Sequence, residues 1–506
     1  MPERADLVDA GTYRGVAHRE LVDDLRTMLL ARAVDERQMT LHKQGRVHFQ
    51  IAGAGHEALL VALARSLRAG VDWFFPYYRD VALVLALGVE PRQVILQSVG
   101  SALDKSSGGR QMPAHWGDKD LHIVSQTSPT GSQCLPAVGC AEAGRYIAPR
   151  RLAGTSASPG EVTYVSLGDG ATSEGEFWES LNTACRLLLP LVYLVADNGY
   201  AISVPAVDQS PAPVAQLVSG FPGIEVATFD GCDYFAARAI GARLVARARS
   251  GAGPVLLHAL VSRPDSHSSS DVQAKYRSAA QIADDAARDP VRRLEGELVA
   301  AGVVSEAVVA QMKADVHASV AAAAASALEA PLPDPGSAVD HVLSLPEIPD
   351  PPGDPGQVGE TIHFGETIRR TLHEVMAADE RCGSSARTSP TRTSPSSRRW
   401  PGWAGCSARP RACSAPSAST AASTPRSPKP TSSGAPSARR CAASGRPRRS
   451  SSSTTSGRRC SRSARRRRRR AGAPRACSRS RSSSGRRSVA TSREQDLGTR
   501  SPASRS

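Results

Sequence analysis

Long apolar runs are missing from this 506-residue chain, and none reaches the length of a membrane-spanning helix. The first residues, MPERADLVDAGTYRG, lack the apolar stretch of a secretory leader. Ten cysteines are present but none forms a CxxC pair, so the usual spacing for zinc or a redox dithiol is absent. A reduced, cytoplasmic setting is expected, with Cys134, Cys140, Cys185 and Cys232 as small apolar core residues. Acid is scarce in one region only. Residues 384–506 hold 30 Lys and Arg against 2 Asp and Glu, from totals of 63 and 48, which leaves 33 and 46 in residues 1–383. The net charge of +15 therefore belongs to the tail, and the body is acidic.

The tail also lacks apolar residues. Val489 and Leu497 alone represent Val, Leu, Ile and Phe there, while 33 residues are Ser. Such a stretch cannot bury enough surface to offset the entropy of ordering, so a disordered Ser/Arg/Pro-rich tail is expected. Three origins compete: a genuine basic tail, a nucleic-acid arm acting through RRRRRR (465–470), and GC-rich codons read out of frame. The abrupt onset near residue 383, inside a segment that should continue, favours the last.

What is present is concentrated between Gly168 and Asn198, GDGATSEGEFWESLNTACRLLLPLVYLVADN. Asp169 sits in a Gly-Asp-Gly turn directly after the strand-like VTYVSL (162–167), and a helix-length segment follows. The second apolar run, PLVYLVA (190–196), ends on Asp197-Asn198-Gly199. The two ends are then the C-terminal tips of consecutive strands in a β-α-β unit, where open parallel sheets bind ligands. A carboxylate at one tip and an amide at the other suit a hard cation such as Mg²⁺, which keeps phosphates in its shell. Gly168 and Gly170 would let a phosphate approach the backbone at a helix start.

Elsewhere the periodicity predicts helix over 19–70, a span that includes the glycine-rich FQIAGAGHEALLVALA (49–64). The runs VTYVSL, LVYLVA, IEVATF and PVLLHALV alternate with helices between 161 and 262, which predicts an α/β fold: a parallel sheet with helices on both faces. Residues 286–329 read as helical. Eight prolines in 331–355 read as a linker, and 357–383 begin a second unit whose Ile368, Leu372, Val375 and Met376 share one helical face. The expected organisation is a first domain over 1–330, a linker over 331–356, the start of another domain over 357–383, and the tail over 384–506.

Six blocks together resemble one family. They are FPYYRDVALVLALG (75–88), GGRQMPAHWG (108–117), SQTSPTGSQCLPAVG (125–139), GDGATSEGEFWESLN (168–182), ADNGYAISVP (196–205) and RPDSHSSSDVQAKYR (263–277). In this order they resemble the α subunit of thiamine-diphosphate-dependent 2-oxo acid dehydrogenases, the E1 component of pyruvate and branched-chain type. Residues 357–382 resemble the opening of that family's β subunit, so the layout is similar to a fused α–β E1 cut short.

The resemblance implies a thiamine-diphosphate-binding fold and oxidative decarboxylation of a 2-oxo acid, with acyl transfer to the lipoyl domain of an E2 acyltransferase. It implies that Asp169, Asn198 and the Tyr200 carbonyl hold Mg²⁺, and that Gly168, Gly170 and Ala171 offer backbone to the diphosphate. Tyr78 and Arg79 would clasp the diphosphate; Ser128 and Thr130 would lie beneath the cofactor rings, although Thr130 stands where relatives often carry a bulky aliphatic residue. The loop with Ser128, Pro129, Ser132 and Gln133 also resembles a monovalent-cation site. His267 and His115 match active-site histidines; His267, with a near-neutral pKa, would serve proton exchange beside the cofactor. Arg263, Asp271, Tyr276 and Arg277 match residues that order its loop. Two positions depart from the pattern: Ala196 replaces a common Arg, and Asp197 a common Asn.

In this family the glutamate that activates the cofactor comes from the β-type domain, and no residue here matches it. The chain alone is therefore expected to be inactive, and an α₂β₂-like assembly is expected of an intact version. Two other readings stand beside this one. A transketolase-type enzyme shares the Gly-Asp-Gly…Asn element but not the RQMPAHWG or HSSSD blocks. A nucleic-acid-binding protein would act through the tail alone.

Overall fold

The computed structural model describes residues 11–152, 155, 157–340, 342 and 361–382. The tail from 384 onward, and with it the frame-shift and nucleic-acid readings, lies outside the described residues, as does most of the proline-rich linker.

Helix α1, His18–Lys43, buries Leu21, Leu25, Met28 and Leu29 at the 3.6-residue spacing of an amphipathic helix. The expected helix over 19–70 is in fact two. Gln44 ends α1, Gly45 follows at φ +70°, and regular helix resumes only at α2, Glu57–Ala64, whose eight residues are all buried. The interval is non-helical because its glycines meet other backbone. A side chain on Gly53 would place Cβ 2.6 Å from the Arg79 carbonyl oxygen. One on Gly55, at φ +93°, would lie 2.2 Å from that of Ser262.

Five parallel strands form the central sheet: β1 (Trp73–Phe75), β2 (Thr163–Gly168), β3 (Leu191–Asp197), β4 (Glu225–Asp230) and β5 (Val255–Leu260). Their spatial order is β1-β2-β3-β5-β4. Four strands match the apolar runs; β1 is an addition, too short to carry a periodic signal. β2 is buried throughout, as expected for a strand covered on both faces. Alternate residues divide between two cores. Val165, Leu167, Tyr193 and Val195 pack with α3 (Cys134–Ile147) and α4 (Gly175–Leu187). Tyr164, Val192, Leu194 and Ala196 pack with α1, α2 and α5 (Tyr234–Arg249). The chain advances one place from β1 to β2 to β3, then skips to β4 and returns to β5. With right-handed crossovers that reversal sends α5 to the opposite face from α3 and α4.

The helical expectation for 286–329 is met by Pro290–Ala300 and by α6, Glu306–Leu328. Helix α7, Phe364–Ala378, carries Ile368, Leu372 and Val375 on one face, where they remain exposed. Among the described residues no helix is long and apolar enough to cross a membrane.

Gly55 has both a positive φ and no room for Cβ. Gly55→Ala is expected to cost about 2–4 kcal/mol, read as a lowered urea midpoint of the full chain. An unchanged midpoint would show that residues 44–56 relax freely.

Candidate functional site

The register of the parallel strands sets the site. Gly168 lies opposite Ala196 and Asp197 opposite Leu260, so β2, β3 and β5 end at one edge. The turns leaving these strands and β1, with the segment between α1 and α2, enclose a cleft of about 360 Å³. Its wall includes Tyr78, Arg79, His115, Ser128, Thr130, Gly168, Asp169, Gly170, Ala171, Asn198, Tyr200 and His267. Every residue expected to hold thiamine diphosphate or Mg²⁺, and both expected catalytic histidines, is thus on one surface, whereas Pro129, Ser132 and Gln133 of the expected monovalent-cation loop do not line it. Among the described residues lining the cleft, Asp169 is the only acid and there is no glutamate.

The turn after β1 is pinned from beneath. Asp80 Oδ2 accepts from the Tyr77 amide at 3.2 Å, the Tyr164 hydroxyl at 3.1 Å and the Ser166 hydroxyl. Burial still pushes the Asp80 carboxyl up to about 6. The Tyr77 hydroxyl donates to Tyr78 Oη at 2.7 Å. Arg79 is turned toward protein as well as cleft: Nη1 donates to the Ala52 carbonyl at 2.5 Å, and Nη2 reaches His267 Nδ1 at 3.1 Å and the His267 carbonyl at 3.0 Å. Nε is buried without a partner. The guanidinium fork expected to face a diphosphate is therefore largely engaged by the protein, with Nε still uncommitted.

At the two central tips stand two oxygens without partners. Asp169 Oδ2 and Asn198 Oδ1 are buried and accept no hydrogen bond. Such orphans are costly unless a cation or donor meets them. A carboxylate and an amide oxygen at adjacent strand tips suit a hard cation with incomplete protein ligation, so the residues fit Mg²⁺ with phosphate completing its shell. Burial, with the Asp197 carboxylate beside it, pushes the Asp169 carboxyl up to about 6 in the cation-free chain. Asp197 points away from the pair. Its Oδ1 accepts from the Gly199 amide at 2.8 Å, and its Oδ2 meets His258 Nε2 at 2.9 Å.

The flanking glycines have a reason beyond phosphate access. A Cβ on Gly168 would lie 2.7 Å from the Tyr77 hydroxyl, and one on Gly170 2.8 Å from the Ala201 Cβ. A 3₁₀ turn, Gly170–Ser173, intervenes before α4, so the helix starts later than the sequence suggested. Gln209 Nε2 holds that turn through the Gly170 carbonyl at 2.6 Å.

His115 is buried rather than on the surface. Its Nδ1 donates to the Pro113 carbonyl at 3.1 Å, and its Nε2 is hydrogen-bonded with the Ser128 hydroxyl at 3.0 Å. His267 differs from the expectation of a near-neutral pKa. Burial first, then the positive charges of Arg79 and Arg263, lower it to about 4, and Asp271 opposes them only weakly. At pH 7 it is a neutral imidazole. Its loop is ordered by Asp271, whose Oδ2 accepts from the His267 amide at 2.8 Å and from the Tyr276 hydroxyl at 2.5 Å. Arg263 Nη2 donates to Tyr276 Oη and to the Ile202 carbonyl, each at 3.0 Å. Arg277 joins Asp285 at 2.5 Å and the Arg263 carbonyl at 2.9 Å.

Sequence reasoning passed over Phe49, Ile51, Tyr77, Met112, Pro113, Ala201 and Ile202, which also line the cleft. Most lie inside the quoted blocks, and their contribution is apolar surface, for which single residues carry no chemical signal. Ile202 holds φ +57°, an uncommon conformation for a β-branched residue, and its carbonyl is the one that Arg263 grips.

The family described as "Dehydrogenase E1 component" matches residues 25–336. The chain is similar to the 2-oxoisovalerate dehydrogenase subunit alpha of Bacillus subtilis (strain 168), 34% identical over 333 residues, covering 65% of this chain and 97% of that protein. It is similar to the 3-methyl-2-oxobutanoate dehydrogenase subunit alpha of Mycobacterium tuberculosis (strain ATCC 25618 / H37Rv), 34% identical over 305 residues, covering 59% and 77%. Similarity to the pyruvate dehydrogenase E1 component subunit alpha of Bacillus cereus is 30% over 329 residues, covering 63% and 82%.

The raised carboxyl at Asp169 gives a pH signature. Its folded pKa of about 6 exceeds the ordinary 3.8, so its ionisation opposes folding. Without metal, Asp169→Asn should match the parent below pH ~4. As pH rises through about 6, the variant should become more stable than the parent by about 3 kcal/mol. Urea unfolding at pH 4 and 7.5 measures the gap, and a constant gap would contradict the assignment.

Proposed function

Since the chain belongs to the dehydrogenase E1 component family, we infer that it is an α-type subunit for the oxidative decarboxylation of a branched-chain 2-oxo acid. The observation that carries the site assignment is the pair of partnerless oxygens, Asp169 Oδ2 and Asn198 Oδ1, at neighbouring tips of one cleft. Family membership implies thiamine diphosphate as cofactor. When bound, that group supplies the carbon that attacks the oxo group and takes up the electron pair released with CO₂.

The chain's own residues do the rest. Asp169 and Asn198, with the Tyr200 carbonyl, would hold Mg²⁺ and through it the diphosphate. Arg79 Nε and the Tyr78 hydroxyl offer donors to phosphate from the opposite wall, and Gly168, Gly170 and Ala171 offer close backbone approach. Phe49, Ile51, Met112 and Ile202 exclude water from the reacting end and suit an aliphatic acyl chain. His267 and His115, with Ser128, place polar hydrogens and lone pairs beside the substrate. The Ser128–Gln133 loop is the proposed site of a monovalent cation.

No glutamate lines the cleft among the described residues, which supports an activating carboxylate supplied by another subunit or domain. The proposed partners are therefore a β-type E1 subunit and the lipoyl domain of an E2 acyltransferase. We assign residues 1–330 to the α-type unit and 357–383 to the start of a β-type one.

Two measurements test this. Calorimetric titration should show thiamine diphosphate binding that depends on Mg²⁺, weakened at least ~100-fold by Asp169→Asn or Asn198→Ala. The purified chain with cofactor and Mg²⁺ should release no CO₂ from 3-methyl-2-oxobutanoate, while an added β-type subunit should restore turnover. In that restored enzyme His267→Ala should lower kcat ~10²–10³-fold. Mg²⁺-independent cofactor binding would overturn the metal assignment, and turnover by the chain alone would overturn the need for a partner.

A further inference from the structure

We propose that Arg79 is a positioning residue that locks His267 as its Nε2–H tautomer, so that the imidazole meets the cleft as a hydrogen-bond donor rather than as a base. The argument starts from valence. Arginine has only donors, so the contact between Arg79 Nη2 and His267 Nδ1 at 3.1 Å requires a lone pair on Nδ1. A neutral ring with its lone pair at Nδ1 carries its proton at Nε2. The second Nη2 hydrogen goes to the His267 carbonyl at 3.0 Å, so one nitrogen fixes the ring and its backbone together.

Arg79 is itself immobilised. It is 1% exposed, and Nη1 is tied to the Ala52 carbonyl at 2.5 Å. Its Cζ lies 5.3 Å from the centre of the Tyr78 ring. The segment carrying Ala52 is held in turn, since the Gly53 amide donates to Asp35 Oδ2 at 2.8 Å. The histidine is fixed from its other side through its amide and Asp271. That carboxylate grips the backbone, not the ring.

The arrangement inverts the one found where a histidine acts as a base. There a carboxylate at Nδ1 holds a proton on that nitrogen, leaves Nε2 free to accept, and stabilises the imidazolium. Here a guanidinium occupies Nδ1, which leaves Nε2 as donor and penalises a second proton. A neutral donor aimed at developing negative charge on oxygen acts by electrostatic stabilisation without transferring its proton. The tautomer assignment stands on this chain's geometry alone; the role toward an oxo acid rests on the proposed function.

The test is nuclear magnetic resonance on the full chain with ¹⁵N-labelled histidine, the His267 signal being identified among the 12 histidines by its loss in His267→Gln. At pH 7 the expected pattern is a protonated Nε2 and an unprotonated Nδ1. The opposite tautomer, an average of both, or an imidazolium overturns the proposal. In Arg79→Met the fixed pattern should give way to averaging between tautomers. Arg79→Gln, whose shorter amide cannot span both His267 and Ala52, serves if the methionine variant does not fold. A fixed Nε2–H pattern that persists in the folded variant also overturns the role of Arg79. None of these readouts needs cofactor, metal or substrate, so they separate this proposal from the functional assignment.

Discussion

Parallel backbone pairing of β3 with β2 on one side and β5 on the other is the constraint on which the cleft depends. It sets Gly168, Ala196 and the residues that follow at a common height, and from that edge four turns leave toward the same space. A one-residue slip would turn each side chain of a strand to the opposite face. It would move Val165 and Leu167 out of the core with α3 and α4. Both cores therefore defend the register, and the register in turn sets Asp169 next to Asn198. The binding geometry is guarded by apolar packing that never touches a ligand.

The charge distribution around the cleft is uneven in a way that suits an anionic cofactor carried with a cation. Arg79 and Arg263 are among the largest fully buried side chains, and neither forms an ion pair with a carboxylate among the described residues. Burying an uncompensated guanidinium is expensive. Part of that cost is met by carbonyl and hydroxyl acceptors: Ala52, Ile202, His267 and Tyr276. On the opposite wall, Asp169 is buried without a positive partner in contact. Fixed donors and fixed carboxylate are thus held apart, with no ion pair to Arg79, Arg263 or Asp169 among the described residues. A metal–phosphate ligand would complement both walls at once.

Much of this was legible along the chain. Four of the five strands carry apolar runs that read as strands buried on both faces, and the order of strands and helices implied the parallel sheet. The Gly-Asp-Gly turn and the Asp-Asn-Gly turn announced their positions because each follows such a run directly. The short strand β1 was not legible: its three residues gain their pairing only from β2. The break between α1 and α2 was hidden as well. The local pattern there is compatible with helix, and what forbids it is the approach of Gly53 and Gly55 to the backbone of Arg79 and Ser262, far along the chain.

In the sequence by itself, six blocks along the chain carry the likeness to the family, while periodicity and short spacings set the sheet and the residue types at the strand tips. Tertiary structure decided what state those residues are in. Burial beside Asp197 raises Asp169, burial beside two guanidiniums makes His267 neutral, and the lone pair of His267 falls at Nδ1 because an arginine 188 positions away donates to it. Protonation, tautomer and orphaned oxygens depend on distances through space between groups that no local pattern brings together.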